Sequence, residues 1–261
     1  MRRSFIGIDL CYGDPLVATS RLECVLRGIR RAQSLKSSVR PPRLPVTQNL
    51  MLLILSTLNL ADFDHAMLWA AFCTARFGFL RVSEFTSPRP PGFDPAAHLS
   101  LHDVAVDSHL HPSAVLLTIK ASKTDPFREG VPLYVPRTDR LLCPVSSLAN
   151  SLHHRNIFPG PLFIFSDGTA LSRRHVTDRF RIILAAAGVD GNFSSHSFRI
   201  GAATFASAAG LPDSMIRTLG RWSSDAYLVL RSYLKRHSSQ GSCTASLITV
   251  GPCGLCRSVF H

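Results

Sequence analysis

Ser195-His196-Ser197-Phe198-Arg199-Ile200-Gly201-Ala202-Ala203 is the stretch on which the reading of this chain turns. His196 and Arg199 stand three residues apart, which places both on one face of a helix. Gly201, Ala202 and Ala203 follow, and their small side chains let a second backbone come close. A cationic pair fixed at the mouth of a small-residue helix is unusual as surface decoration. Downstream, the apolar period predicts short helices over about 197–209, 213–219 and 224–235. Upstream it predicts a helix over 173–187, ended by Gly188, and another over 144–154. Between these and the N-terminal third, Val115–Ile119 and Val131–Val135 are rich in β-branched residues and flank the polar connection Lys120–Gly130, so they read as a strand pair. Pro132 has no N–H to give to a ladder and belongs at an edge or a strand start. Further back, a helix from about His65 to Phe77 leads into Phe77–Phe85, and Thr47 is placed to cap a helix running through Leu50, Leu53 and Leu55. The expected class is mainly α with a small antiparallel β-sheet (α+β).

Composition narrows the partners. The chain has 261 residues, 46% hydrophobic and 18% charged, which suits a packed core and excludes a disordered chain. Lys and Arg number 29 against 17 Asp and Glu, a net charge of +12, and the isoelectric point is near 10.1. Such an excess points to a polyanion, since each phosphate neutralised releases counterions. Nucleic acid leads on this ground, with membrane surfaces and heparin-type partners sharing the signal. The densest apolar run, Leu50–Leu58, is too short to span a bilayer, and Asp9 and Asp14 break any signal-peptide core, so a soluble, intracellular protein is expected. Seven scattered cysteines suit reduced thiols in apolar surroundings better than a disulfide framework. Cys253 and Cys256 form a CxxC without a second ligand pair, so no metal is expected. The sequence carries no nucleotide-binding glycine loop. Residues 17–35 read as a basic amphipathic helix and 37–45, with three prolines, as a linker.

Three basic clusters sit in apolar frames. Arg81 lies between Phe79-Leu80 and Glu84-Phe85, where an ordinary surface pair with Glu84 is the competing reading. Lys123 lies in Ser122-Lys123-Thr124 at the turn between the strands, a place where lysines are commonly just solvated. Lys120 is its rival. His196 and Arg199 complete the set.

Together the segments Phe79–Phe85, Ile119–Asp125, His196–Gly201 and Leu219–Ser224 resemble, in order, the tyrosine recombinase (phage-integrase) family, most closely the recombinases of vertebrate transposable elements. The resemblance covers most of residues 46–236 and implies the tyrosine recombinase/integrase catalytic-domain fold. It implies that Arg81 and Arg199 clamp the non-bridging oxygens of a scissile phosphate, that Lys123 protonates the leaving 5′-hydroxyl, and that His196 assists proton transfer. Trp222 falls where relatives carry His or Trp. The partner implied is double-stranded DNA, bound by a synaptic tetramer in the nucleus, with no metal or other cofactor. Two guanidiniums suit that task, because they hold phosphate oxygens bidentately where charge gathers during attack.

The nucleophile leaves alternatives open. Relatives place a tyrosine eight or nine residues beyond the position of Trp222, and here Leu230 and Arg231 stand there. Tyr233 and Tyr227 flank the place, and each helical residue turns a side chain by about 100°. Tyr233 is the candidate nucleophile and Tyr227 a packing residue. The alternative is a catalytically inactive domain that binds DNA without cutting it. The resemblance divides the chain into a remnant of an N-terminal clamp domain with its linker (1–45), the catalytic domain (46–236) and a flexible tail (237–261).

Overall fold

A computed structural model describes residues 24–29, 43–88, 92–108, 111–122, 125, 127, 129–138, 141–155 and 159–222. The chain divides into two units, 1–42 and 43–261. Within the first, residues 24–29 are helical, with Cys24 exposed rather than in the apolar surroundings expected of most of the cysteines. The remainder of the expected 17–35 helix, the helix at 224–235 and the tail lie outside the described residues.

The second unit begins with an extended segment, the end of the expected linker, hydrogen-bonded to later parts of the chain. The Leu44 N–H donates to the Asn192 carbonyl and the Val46 N–H to the Ser197 carbonyl, both at 3.0 Å, and Pro45 and Val46 are buried. Thr47 then caps α1 (Gln48–Ser56), its hydroxyl oxygen accepting from the Leu50 N–H at 3.2 Å. The buried face of α1 is Leu50, Met51 and Ile54, while Leu53 points outward. Asp62 caps α2 (Phe63–Phe77), which begins two residues before the expected His65 because this cap lies upstream of it. Every residue of α2 from Ala66 to Arg76 is buried, as a helix apolar on nearly all sides must be.

A turn leads to the single-turn helix α3 (Val82–Phe85). The sheet follows: β1 (Val104–Val106), β2 (Ala114–Ile119) and β3 (Val131–Pro136), antiparallel in the order β1-β2-β3. Strand β1 was not legible in the sequence, since three residues between Asp103 and Asp107 carry no period. Val115, Leu117 and Ile119 face inward, and Leu116 and Thr118 outward. Pro132 pairs with Thr118 near the start of the edge strand β3. Helices α4 (Pro144–His153), α5 (Arg173–Ala186), α6 (Ser197–Ala208) and α7 (Asp213–Gly220) complete the unit. Gly188, at φ +67, takes the left-handed turn that stops α5.

Three phenylalanines fasten α2, α5 and α6. Phe72 stacks on Phe198 at 4.8 Å between centroids, and Phe180 meets them at 5.8 and 4.8 Å. Each buried ring contributes roughly 1.5–3 kcal/mol by removal from water. Gly201 brings α6 against the entering chain: a Cβ there would lie 2.0 Å from the Val46 carbonyl oxygen. The small-residue stretch therefore admits a second backbone, as its composition predicts, and that backbone is the chain at Val46.

Candidate functional site

The site is built where α3, the end of β2, α6 and the end of α7 meet. Arg199, in the first turn of α6, is 1% exposed. Its guanidinium donates through Nη1 to the Phe79 carbonyl and through Nη2 to the Gly220 carbonyl, while Nε has no hydrogen-bond partner among the described residues. The Trp222 ring covers it, with 4.3 Å between guanidinium carbon and ring centroid, and Phe79 meets that ring edge-on at 6.4 Å. Burial, and after it the charge of Arg81, pulls the Arg199 pKa down to about 9, which leaves it a cation at neutral pH.

Arg81 is no ordinary surface residue. Its side chain is 17% exposed and its partner Glu84 is fully buried. Nη1 of Arg81 donates to Glu84 Oε1 at 2.8 Å and to Ser122 Oγ at 2.9 Å, and Nη2 donates to the Arg221 carbonyl at 2.9 Å. The Arg81 backbone N–H donates to the other oxygen, Glu84 Oε2, at 2.8 Å. Arg221 reaches the same oxygen with Nη2 at 2.7 Å, and Ser122 donates to Oε1 at 3.0 Å. Burial alone would raise the Glu84 pKa, but Arg221 and the Arg81 donors outweigh it and hold the carboxyl below its ordinary range. Among the described residues, two guanidiniums thus pair with one carboxylate, and Arg199, close enough to feel the charges of Glu84, Arg81 and Arg221, is a third cation of the cluster.

The frame under this cluster is strained. Phe79 has φ +49 and Arg221 φ +51, left-handed conformations that cost a side-chain-bearing residue about 1–2 kcal/mol each. The Phe79 turn aims its carbonyl at Arg199 and, at 3.4 Å, at Arg221 Nη2.

His196 is the residue before α6, in helical conformation, and it is exposed whereas Arg199 points inward. The shared helical face expected from their spacing therefore becomes an outer imidazole above an inner guanidinium. Partial removal from water first, then repulsion by Arg199, Arg43, Arg81 and Arg173, pushes the His196 pKa down to about 4. Because the residue keeps its exposure, an incoming anion can offset that repulsion. Arg43 and Arg173 are themselves exposed, and α5 adds Arg174, Arg179 and Arg181 on its outer side.

Of the residues singled out in the sequence, Arg81, His196, Arg199 and Trp222 are brought together. Lys123, Tyr227 and Tyr233 lie outside the described residues. Ser122, the neighbour of Lys123, is docked on Arg81 and Glu84. Lys120, the rival lysine, pairs with Asp103 at 2.8 Å and donates to the Pro95 carbonyl at 2.6 Å. Arg221 and Ser122 lie within the recognised motifs without a role implied by them, and Glu84 reads in the sequence only as a surface partner. The signal for Arg221 was its place beside Gly220 and Trp222. Its left-handed backbone gave none, since arginine does not announce such a conformation.

The described architecture is the tyrosine recombinase catalytic-domain fold, and solved structures of that class match it. A XerH site-specific recombinase bound to palindromic difH substrate in a post-cleavage complex matches with TM-score 0.55 and 14% identity, over 76% of this chain and 52% of that one. A lambda integrase dimer bound to a COC′ core site matches with TM-score 0.51 and 19% identity, over 76% and 49%. A variant of the Tn1549 transposon integrase in complex with a circular intermediate DNA matches with TM-score 0.50 and 12% identity, over 80% and 68%. The chain spans about half the length of the XerH and lambda integrase chains. No protein-family model and no curated protein sequence matches it.

Proposed function

We propose that this protein cleaves and rejoins DNA strands through a covalent 3′-phosphotyrosyl intermediate. The observation that carries the reading is the gathering of Arg81 and Arg199 on one frame of carbonyls, with buried Glu84 paired to Arg81 and the His196 imidazole in the field of both guanidiniums. Structures of the same fold with DNA or recombination substrates support DNA as the partner. In the proposed step a tyrosine oxygen attacks phosphorus, the P–O5′ bond breaks, and the 5′-hydroxyl leaves with a proton from Lys123. Arg81 and Arg199 hold the non-bridging oxygens while charge builds on them. His196, neutral at pH 7, takes or relays the nucleophile's proton. Trp222 closes one side of Arg199. The bond energy is kept in the phosphotyrosine, so rejoining by the freed 5′-hydroxyl needs no further energy source. Arg43, Arg173 and the exposed arginines of α5 extend the contact along the duplex backbone. The substrate on this reading is the DNA of a mobile element, acted on in the nucleus by a tetramer of this chain.

Tyr233 is the proposed nucleophile. The occupancy of the expected positions by Leu230 and Arg231 favours a second reading, a domain that binds DNA without cutting it. A pool of nicked duplexes separates the two, because the fragment released after attack diffuses away and traps the adduct. A covalent protein–DNA band is expected from the native protein and from Tyr227→Phe, and none from Tyr233→Phe. Duplex binding without any band, in the native protein, would replace cleavage by the second reading.

A further inference from the structure

Arg221 is the one guanidinium of the described cluster to which neither the sequence motifs nor the proposed reaction gives a task. We infer that Arg221 is a positioning residue that neutralises Glu84, leaving the charge of Arg81 for the substrate phosphate, and that locks the chain reversal at Gly220–Trp222 onto the arginine clamp. This rests on the phosphate-clamp reading above and adds a role to it.

The geometry is a closed circuit. Glu84 Oε1 accepts from Arg81 Nη1 and Ser122 Oγ, and Oε2 accepts from the Arg81 N–H and Arg221 Nη2. A carboxylate has about four lone-pair sites, so Glu84 is saturated. Were Arg221 neutral, Arg81 would be the sole guanidinium paired with a fully buried carboxylate, and much of its field at the site would be cancelled. With Arg221 charged, Glu84 is matched, and Arg81, its side chain 17% exposed, leaves the trio one net positive charge for the site.

The reversal is tied at the same points. Arg199 donates to the Gly220 carbonyl and Arg81 to the Arg221 carbonyl. A Cβ on Gly220 would lie 1.6 Å from the Trp222 ring, so the missing side chain is what lets the indole fold back over Arg199. Arg221 adopts φ +51 to turn its carbonyl toward Arg81 while its own side chain, 11% exposed, crosses to Glu84. The strain of an arginine in that conformation is held by these contacts.

Two measurements on Arg221→Gln, Glu84→Gln and the double variant test this. The chain holds two tryptophans, Trp69 and Trp222, so 5-fluorotryptophan labelling yields two fluorine resonances. Arg221→Gln is expected to move the Trp222 resonance and leave that of Trp69, which also reports that the core is intact. Its affinity for a random-sequence duplex is expected to fall by about tenfold, the order of one uncompensated charge pair. Adding Glu84→Gln is expected to restore that affinity to within about threefold, because the competing carboxylate is gone. A purely structural arginine would not be rescued this way, so a double variant as weak as the single one overturns the charge-balance role. An unmoved Trp222 resonance in Arg221→Gln overturns the lock. If the native protein does not bind the duplex, the phosphate reading fails and the charge role falls with it, while the resonance still decides the lock.

Discussion

Arg199 is a cation held almost out of water, with two carbonyls below it and an indole over its face. Such a group is stabilised only by what surrounds it, and removing any partner exposes the desolvation cost of the rest. His196 feels the result. Its pKa of about 4 against an ordinary 6.5 means that the unfolded chain binds the proton more tightly. The stability this group contributes is therefore complete above about pH 6.5 and is lost as pH falls toward 4. Glu84, also depressed, adds a loss as pH falls below its ordinary 4.5, as protonation removes the counter-charge of Arg81 and Arg221. NMR titration of His196 in the free protein is expected to give a midpoint near 4, moving upward when duplex DNA is added because bound phosphates offset the surrounding guanidiniums. A midpoint near 6.5 with and without DNA would show that the imidazole does not sit in this field.

At the scale of elements, the site depends on two glycines that close-pack rather than flex. Gly201 admits the Val46 backbone and Gly220 the Trp222 ring. Gly201→Ala forces a methyl into a carbonyl oxygen that cannot rotate away, and a loss of roughly 1–3 kcal/mol is expected in urea unfolding. A variant as stable as the native protein would mean that α6 does not meet the entering chain this closely. The role of Gly201 was legible, because a run of small residues after a cationic pair has few other uses. The helices were legible too, from period and caps such as Thr47. Strand β1 was hidden by its three-residue length, and the inward turn of Arg199 was hidden because spacing sets a helical face but not the carbonyls waiting on it. Phe79 and Arg221 in left-handed conformations had no signature at all. The interlock of Glu84 with Arg221, across 137 positions of sequence, is a tertiary fact that no local pattern carries.

For the whole molecule, a net charge of +12 and the exposed arginines of α5 predict binding governed by phosphate contacts. Duplex affinity should fall linearly with the logarithm of salt concentration, and Arg173→Ala should reduce the slope by about one. An unchanged slope would remove Arg173 from the interface. The central claim, that Arg199 serves a phosphate undergoing attack rather than merely one being held, is tested most directly by Arg199→Ala. Adduct yield on nicked DNA and affinity for the intact duplex are measured side by side, on protein shown to be folded by near-ultraviolet circular dichroism. Adduct formation is expected to fall by about a hundredfold or more while affinity changes by less than about tenfold. Equal losses in both, or an undiminished adduct, would contradict it.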